Sequence, residues 1–123
     1  MGKLVDENEW LYRRGYASPE KKYMNPDGTA TSRVFKLREK EKDLSVDVKS
    51  MTSPETSVKD PQKFMLFEIA HRQVLDLNLQ AVHDPLPNEH NLEANPAHAL
   101  IVGMDPEDEI MPGLLARASR RVL

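Results

Sequence analysis

The chain contains no cysteine. A disulfide framework, a thiolate metal site and a thiol nucleophile are therefore all excluded. Glycine is scarce, at five in 123 residues, and none falls in a phosphate-cradling loop. The GxGxxG, GxSxG, HExxH and CxxC patterns are absent as well. Long apolar runs are missing: the longest aliphatic stretch is Ala99-Leu100-Ile101-Val102, far short of the roughly 20 residues that a spanning helix needs. The opening MGKLVDENEW has no apolar leader core, and Asp6 stands where myristoylation of Gly2 would require Ser or Thr. The expected location is the cytoplasm, away from membranes. No large excess of one charge exists either. A net charge of −3 speaks against a protein that coats nucleic acid, which would usually be basic, and is too small to unfold the chain by self-repulsion.

What is present is enough for one core. An apolar content of 39% and a charged content of 30% in 123 residues predict a single domain spanning residues 1–123. Nine prolines punctuate it; Pro19, Pro26, Pro54, Pro61 and Pro85 each follow Ser, Asn or Asp, a pairing that marks turns and element starts. Aromatic content and alternation predict a strand over 10–14. Asn25-Pro26-Asp27-Gly28 is a turn signal, with proline presetting φ and glycine supplying a positive φ. Alternation predicts strands over 33–38 and 44–48, separated by the charged turn Glu39 to Asp43. Ser53-Pro54 and Asp60-Pro61 look like helix starts. Phe64, Phe67, Ala70, Val74 and Leu77 recur at three- and four-residue steps and predict the main helix over about 61–77. Further strands are expected over 79–83 and 98–102, the latter apolar on both faces. A last helix over about 112–121 would bury Leu114, Leu115, Ala118 and Val122. The expected fold is therefore α+β, a mostly antiparallel sheet of about five strands with two main helices packed on it.

One segment stands out. HDPLPNEHNLEANPAH, residues 83–98, holds three of the four histidines together with Asp84, Glu89 and Glu93. Asp84, Leu86 and Asn95 each precede a proline, which pushes them toward extended backbone and stiffens the loop. If strands 79–83 and 98–102 form a hairpin in the simplest register, His83 lies opposite His98 with Cβ atoms roughly 4.5–5.5 Å apart. Two imidazoles so placed can act as an acid and a base, or share a divalent metal with Asp84, Glu89, His90 or Glu93. The histidine spacing matches no zinc motif, and no metal or cofactor is expected. A loop of this length inside a compact domain is usually functional or disordered.

Two arginine features complete the candidates. Alternation puts Arg14 on the face of Trp10 and Tyr12, and Arg13 on the face of Leu11, so one of them points inward and needs an anion. That partner is either a protein carboxylate such as Asp47 or a ligand phosphate. Arg117, Arg120 and Arg121 are expected on the outer face of the last helix near its C-terminus, where cations complement the helix dipole. His71 is expected as a half-buried, hydrogen-bonded residue.

Asp84-Pro85-Leu86-Pro87, then Asn95-Pro96-Ala97-His98-Ala99-Leu100 and an aliphatic strand ending in Gly103, resembles a signature of a family of small bacterial proteins of uncharacterised function. Leu11-Tyr12-Arg13-Arg14, Ser32-Arg33-Val34-Phe35 and Leu44-Ser45-Val46-Asp47 are similar to that family too, so the resemblance runs over most of the chain. Glu89 to Ala94 looks like an insertion relative to it, which leaves His98 as the residue the resemblance favours over His90 or Glu89. The resemblance implies a fold boundary and an important segment, and no reaction.

Two functions are compatible with these features. The first is an accessory or interaction protein of a bacterial multi-component system. It would bind a larger protein partner through the 84–97 loop (Asp84, Pro85, Pro87, Asn95) or through the terminal helix (Arg117, Arg120, Arg121). The second is a small enzyme acting on nucleotides or nucleic acid, with His83 and His98 as acid and base and Arg13 or Arg14 holding phosphate. The first is the expectation here.

Overall fold

The computed structural model describes residues 2–89 and 93–123. Among these, six strands form one antiparallel sheet: β1 (Trp10–Tyr16), β2 (Leu44–Val48), β3 (Phe64–Ala70), β4 (Gln80–His83), β5 (His98–Val102) and β6 (Arg120–Arg121), in the order β4-β5-β2-β1-β3-β6. Three short helices accompany it: α1 (Pro54–Val58), α2 (His71–Asp76) and α3 (Met111–Ala118). The fold is α+β, with one strand more than expected.

Alternation along the strands creates two unlike faces. Leu11, Val46, Val48, Met65, Phe67, Ile69, Ala99 and Ile101 share the main core with Val34 and Phe35 from the 17–37 segment, Val74 of α2 and Leu115 of α3. On the reverse face Tyr12, Val58 and Leu66 form a smaller cluster, with Phe64 and Val122 beside it. Of the three helices α1 packs on that face, where Trp10, Arg14, His98 and Leu100 stay partly exposed on its open parts. Gly15 lets β1 pass close beneath the covering segment: a Cβ there would lie 2.9 Å from the Tyr23 ring and 3.2 Å from Val34. Gly28 takes φ +90° in the Asn25–Gly28 turn, as its sequence predicts.

The expected main helix over 61–77 is instead strand β3 followed by α2. The stripe at three- and four-residue steps coexists with a period of two. Met65, Phe67 and Ile69 enter the main core while Leu66 and Glu68 are buried on the other face. A strand covered on both sides is apolar almost throughout, and periodicity alone does not separate it from a buried helix. Asp60 caps only a turn, its Oδ1 accepting from the Gln62 amide at 3.0 Å. The expected strand over 33–38 is a single 3₁₀ turn, Ser32–Phe35, whose Val34 and Phe35 are both fully buried. The expected start at Ser53 holds, with Ser53 Oγ accepting from the Thr56 amide at 3.2 Å. The last helix ends at Ala118, and Arg120 and Arg121 belong to β6 instead. Strand β5 is half-buried at every second residue, its outer face being part of the open side.

Candidate functional site

The register of the β4–β5 hairpin decides the fate of the histidine pair. His83 lies opposite Ala99, one residue away from the expected partner. A one-residue slip reverses which face a side chain points to. His83 therefore shares the face of the core residue Ala99, whereas His98 lies on the open face, opposite Asp47 of β2. The two imidazoles are on opposite sides of the sheet, so the expected acid–base or metal-sharing pair does not form. Pairing resumes beyond the strands where Leu86 and Asn95 exchange two backbone hydrogen bonds of 2.9 Å. Pro85 and Pro87 are exposed. His90 lies outside the described residues, and among the described residues no three His, Asp or Glu side chains gather as metal ligands.

Arg13 proves structural. It is 1% exposed and uses every N–H it has. Nε donates to the Val34 carbonyl; Nη1 donates to Glu41 and the Ser45 carbonyl; Nη2 donates to Glu41 and the Lys36 carbonyl. Glu41 is thus its anion, gripped by a two-pronged fork at 2.7 and 3.0 Å. Burial alone would raise the Glu41 carboxyl, yet the Arg13 fork and the Arg38 and Ser45 amides hold it at about 2. No donor remains on Arg13 for a ligand, which removes it from the candidate catalytic set.

Arg14 differs in every respect. It faces the open side and lines a cleft of about 210 Å³ together with Tyr12, Arg38, Ser45, Val46, Asp47, Lys59, Leu86, Asn95 and His98. Its one hydrogen bond is from Nη1 to the Ser57 carbonyl, at 2.8 Å. Burial lowers its pKa from the ordinary value; Asp47 pushes it back up, and Arg38 and Arg13 lower it further. None of Arg14, Arg38 and Lys59 forms a salt bridge with a carboxylate among the described residues. Aromatic rings hold the two guanidinium groups, with Arg14 5.7 Å from the Phe64 centroid and Arg38 5.6 Å from that of Tyr16. Arg38 also donates to the Arg14 carbonyl at 2.6 Å, while its buried Nε has no partner.

The remaining walls are fixed by hydrogen bonds. Asp47 is 5% exposed and both its oxygens are engaged, one accepting from Ser57 Oγ at 2.7 Å and the other from Asn95 Nδ2 at 2.9 Å. Asn95 thereby ties the return of the proline-rich loop to the floor of the cleft. His98 Nδ1 is 2.9 Å from the Asp84 carbonyl and 3.2 Å from the Asp84 carboxylate. A carbonyl only accepts, so Nδ1 carries a proton, and in the neutral ring Nε2 is the acceptor. Lys59 sits at the rim with φ 67° and ψ −60°, at the centre of a γ-turn closed by the Asp60 amide donating to the Val58 carbonyl at 2.8 Å.

The terminal arginines do not form one surface. Arg117 is exposed in the last turn of α3. Arg120 pairs with the buried Glu68 and lies 4.7 Å over the Trp10 ring, with Lys49 on the same carboxylate. Arg121 donates to the Leu123 carbonyl at 3.1 Å. His71 is fully buried and bridges segments: its Nε2 accepts from the Ala81 amide at 2.9 Å, and its Nδ1 is 3.1 Å from the Asp6 carbonyl. A wider cleft of about 370 Å³ lies between residues 36–41 and 104–112 and is dominated by carboxylates, among them Glu39, Asp105, Glu107 and Asp108.

Of the residues that the sequence pattern brings forward, Arg14, Asn95 and His98 line the cleft and Asp84 contacts it only through His98, whereas the lining residues Arg38, Lys59 and Ser45 carry no local signal of a site. Alternation in Leu44-Ser45-Val46-Asp47-Val48 already put Ser45 and Asp47 on one face; what sequence lacked was the neighbour relation of β2 to β1 and β5. The chain matches no protein-family model, no curated protein and no solved structure.

Proposed function

We propose that this chain is an interaction protein that binds an anionic group presented by a larger partner, using the Arg14 cleft and the proline-rich loop that borders it. One observation carries the reading: Arg14 is a partly desolvated cation that forms no ion pair among the described residues, beside the half-buried Arg38 and the exposed Lys59, which form none there either. A desolvated charge left unpaired costs stability, and an incoming anion would supply the missing partner. The loop supports a macromolecular ligand because Leu86 is 42% exposed beside the cleft and is held there by its pairing with Asn95. The test is capture of partners from the native host by wild-type protein, Arg14→Gln and Lys59→Gln, with folding checked by thermal melts. A partner recovered by wild type and lost with both variants is expected. Equal recovery by all three would remove the cleft from the interaction.

A second reading, a small hydrolase or transferase acting on nucleotides, draws on His98. His98 lines the cleft with Nδ1 anchored on Asp84, and in the neutral ring Nε2 is an acceptor. In that reading Nε2 takes the proton of an attacking water or hydroxyl while the P–O bond to the leaving group breaks. It predicts phosphate release from nucleotides that His98→Gln abolishes; no turnover by folded wild-type protein counts against it.

A further inference from the structure

We infer that the anion taken by the Arg14 cleft is a phosphate monoester, carried on a phosphorylated side chain of the partner protein. The inference rests on the interaction reading above and adds the chemistry of the ligand.

Charge balance gives the first argument. Arg14, Lys59 and Arg38, which also borders the carboxylate-rich second cleft, line this cleft against one lining carboxylate, Asp47, a balance of +2 along the lining. Asp47 accepts from Ser57 and Asn95 and forms no ion pair with the three cations among the described residues, so their donors stay available to an outside anion. A phosphate monoester carries about −1.5 to −2 at neutral pH and neutralises that balance, whereas a carboxylate brings a single charge. Donor geometry gives the second. The three cations come from separate segments, β1, the turn after residue 35 and the turn after α1. They surround a cleft instead of presenting one flat fork, which suits the several acceptor oxygens of a phosphate better than the planar pair of a carboxylate. Tyr12 and Ser45 add hydroxyl-bearing side chains to the lining.

Size gives the third argument. At about 210 Å³ the cleft lies below the roughly 300–1,000 Å³ of sites that enclose a whole small molecule. It admits a phosphate head while the rest of the ligand stays outside. On that outside border stand the exposed Leu86 and the proline-rich loop, which offer apolar contact to a polypeptide. Among the lining residues the aromatic one, Tyr12, is 2% exposed, so no open ring is available there for a nucleobase to stack on. A phosphorylated polypeptide fits this setting better than a nucleic acid.

Titration calorimetry on the full chain tests the inference with four probes: a phosphoserine peptide, its unphosphorylated twin, a 5′-phosphorylated oligonucleotide and acetate. The phosphopeptide is expected to bind at least tenfold tighter than each of the others. Arg14→Gln and Lys59→Gln are each expected to weaken it by tenfold or more, with melting temperatures showing both variants folded. Acetate binding as well as the phosphopeptide would overturn the phosphate assignment, and tighter binding of the oligonucleotide would overturn the protein partner in favour of nucleic acid. If phosphatase treatment of the captured partner leaves capture intact while Arg14→Gln abolishes it, the phosphate inference falls and the anion-binding reading stands.

Discussion

Neighbouring arginines on one strand have opposite roles because a strand turns successive side chains to opposite faces. Arg13 enters the core and brings its own anion, Glu41, from a run of five charges that in sequence looks like a solvated turn. That pairing was illegible from residues 39–43, since nothing local separates Glu41 from Glu39. Removing Arg13 strands a carboxylate that is 15% exposed, so Arg13→Met is expected to cost about 3–5 kcal/mol in urea denaturation. The pH dependence follows the Glu41 shift. Its folded-state pKa of about 2 lies below the ordinary 4.5, so its contribution is complete above about pH 4.5 and is lost as pH falls toward 2. Glu41→Gln should reduce stability at neutral pH and shrink the loss on acidification between pH 4.5 and 2. The part due to Glu68, whose carboxyl is pushed up by burial but held below its ordinary value by Arg120 and Lys49, should remain. An acid limb identical in wild type and variant would refute the assignment to Glu41.

At the scale of elements, alternation located β1 and β2 but also suggested a strand over 33–38 that is a 3₁₀ turn, whereas helical spacing located α3 but not β3. The alternating strands near β1 and β2, the β4–β5 hairpin and the Ser53 cap were all legible because each rests on local chemistry. Phe64 to Ala70 reads as helix because a strand buried on both faces loses its alternation, whereas His71 to Asp76 of the expected helix is helical. The histidine pair failed for a related reason: hairpin register depends on backbone pairing, and a shift of one residue separated His83 from His98. Of loop 84–97, Leu86 and Asn95 line the cleft, and Asp84 anchors His98. The turn after α1 holds the strain at this site. Lys59, at φ 67° and ψ −60°, occupies backbone space costing about 1–3 kcal/mol for a side chain other than glycine. Lys59→Gly should therefore raise stability by about 1 kcal/mol after the entropy cost of glycine, while weakening the anion ligand. Lys59→Gln should weaken the ligand without stabilising the fold. Equal melting temperatures for the two variants would show that the turn stores no strain.

At the scale of the molecule, the sheet order β4-β5-β2-β1-β3-β6 places β1 between β2 and β3 and gathers Arg14, Asp47 and His98 from distant parts of the sequence. No local pattern encodes that order, so Arg38 and Lys59 could not be joined to Arg14 before the fold was known. The overall charge of −3 concealed the cationic lining because one carboxylate, Asp47, lines that cleft, whereas six line the second one, which Arg38 also borders. The two faces of the sheet divide the work: one buries the core and Arg13, and the other exposes paired and unpaired cations. The most direct measurement of this arrangement is a residue-resolved NMR titration of the full chain with inorganic phosphate. The largest amide shifts are expected at Arg14, Ser45, Asp47, Lys59 and His98, with Arg13 and Ala99 little changed and with saturation at one equivalent site. Shifts centred on Arg117 and Arg121, or none at the cleft at millimolar phosphate, would contradict it.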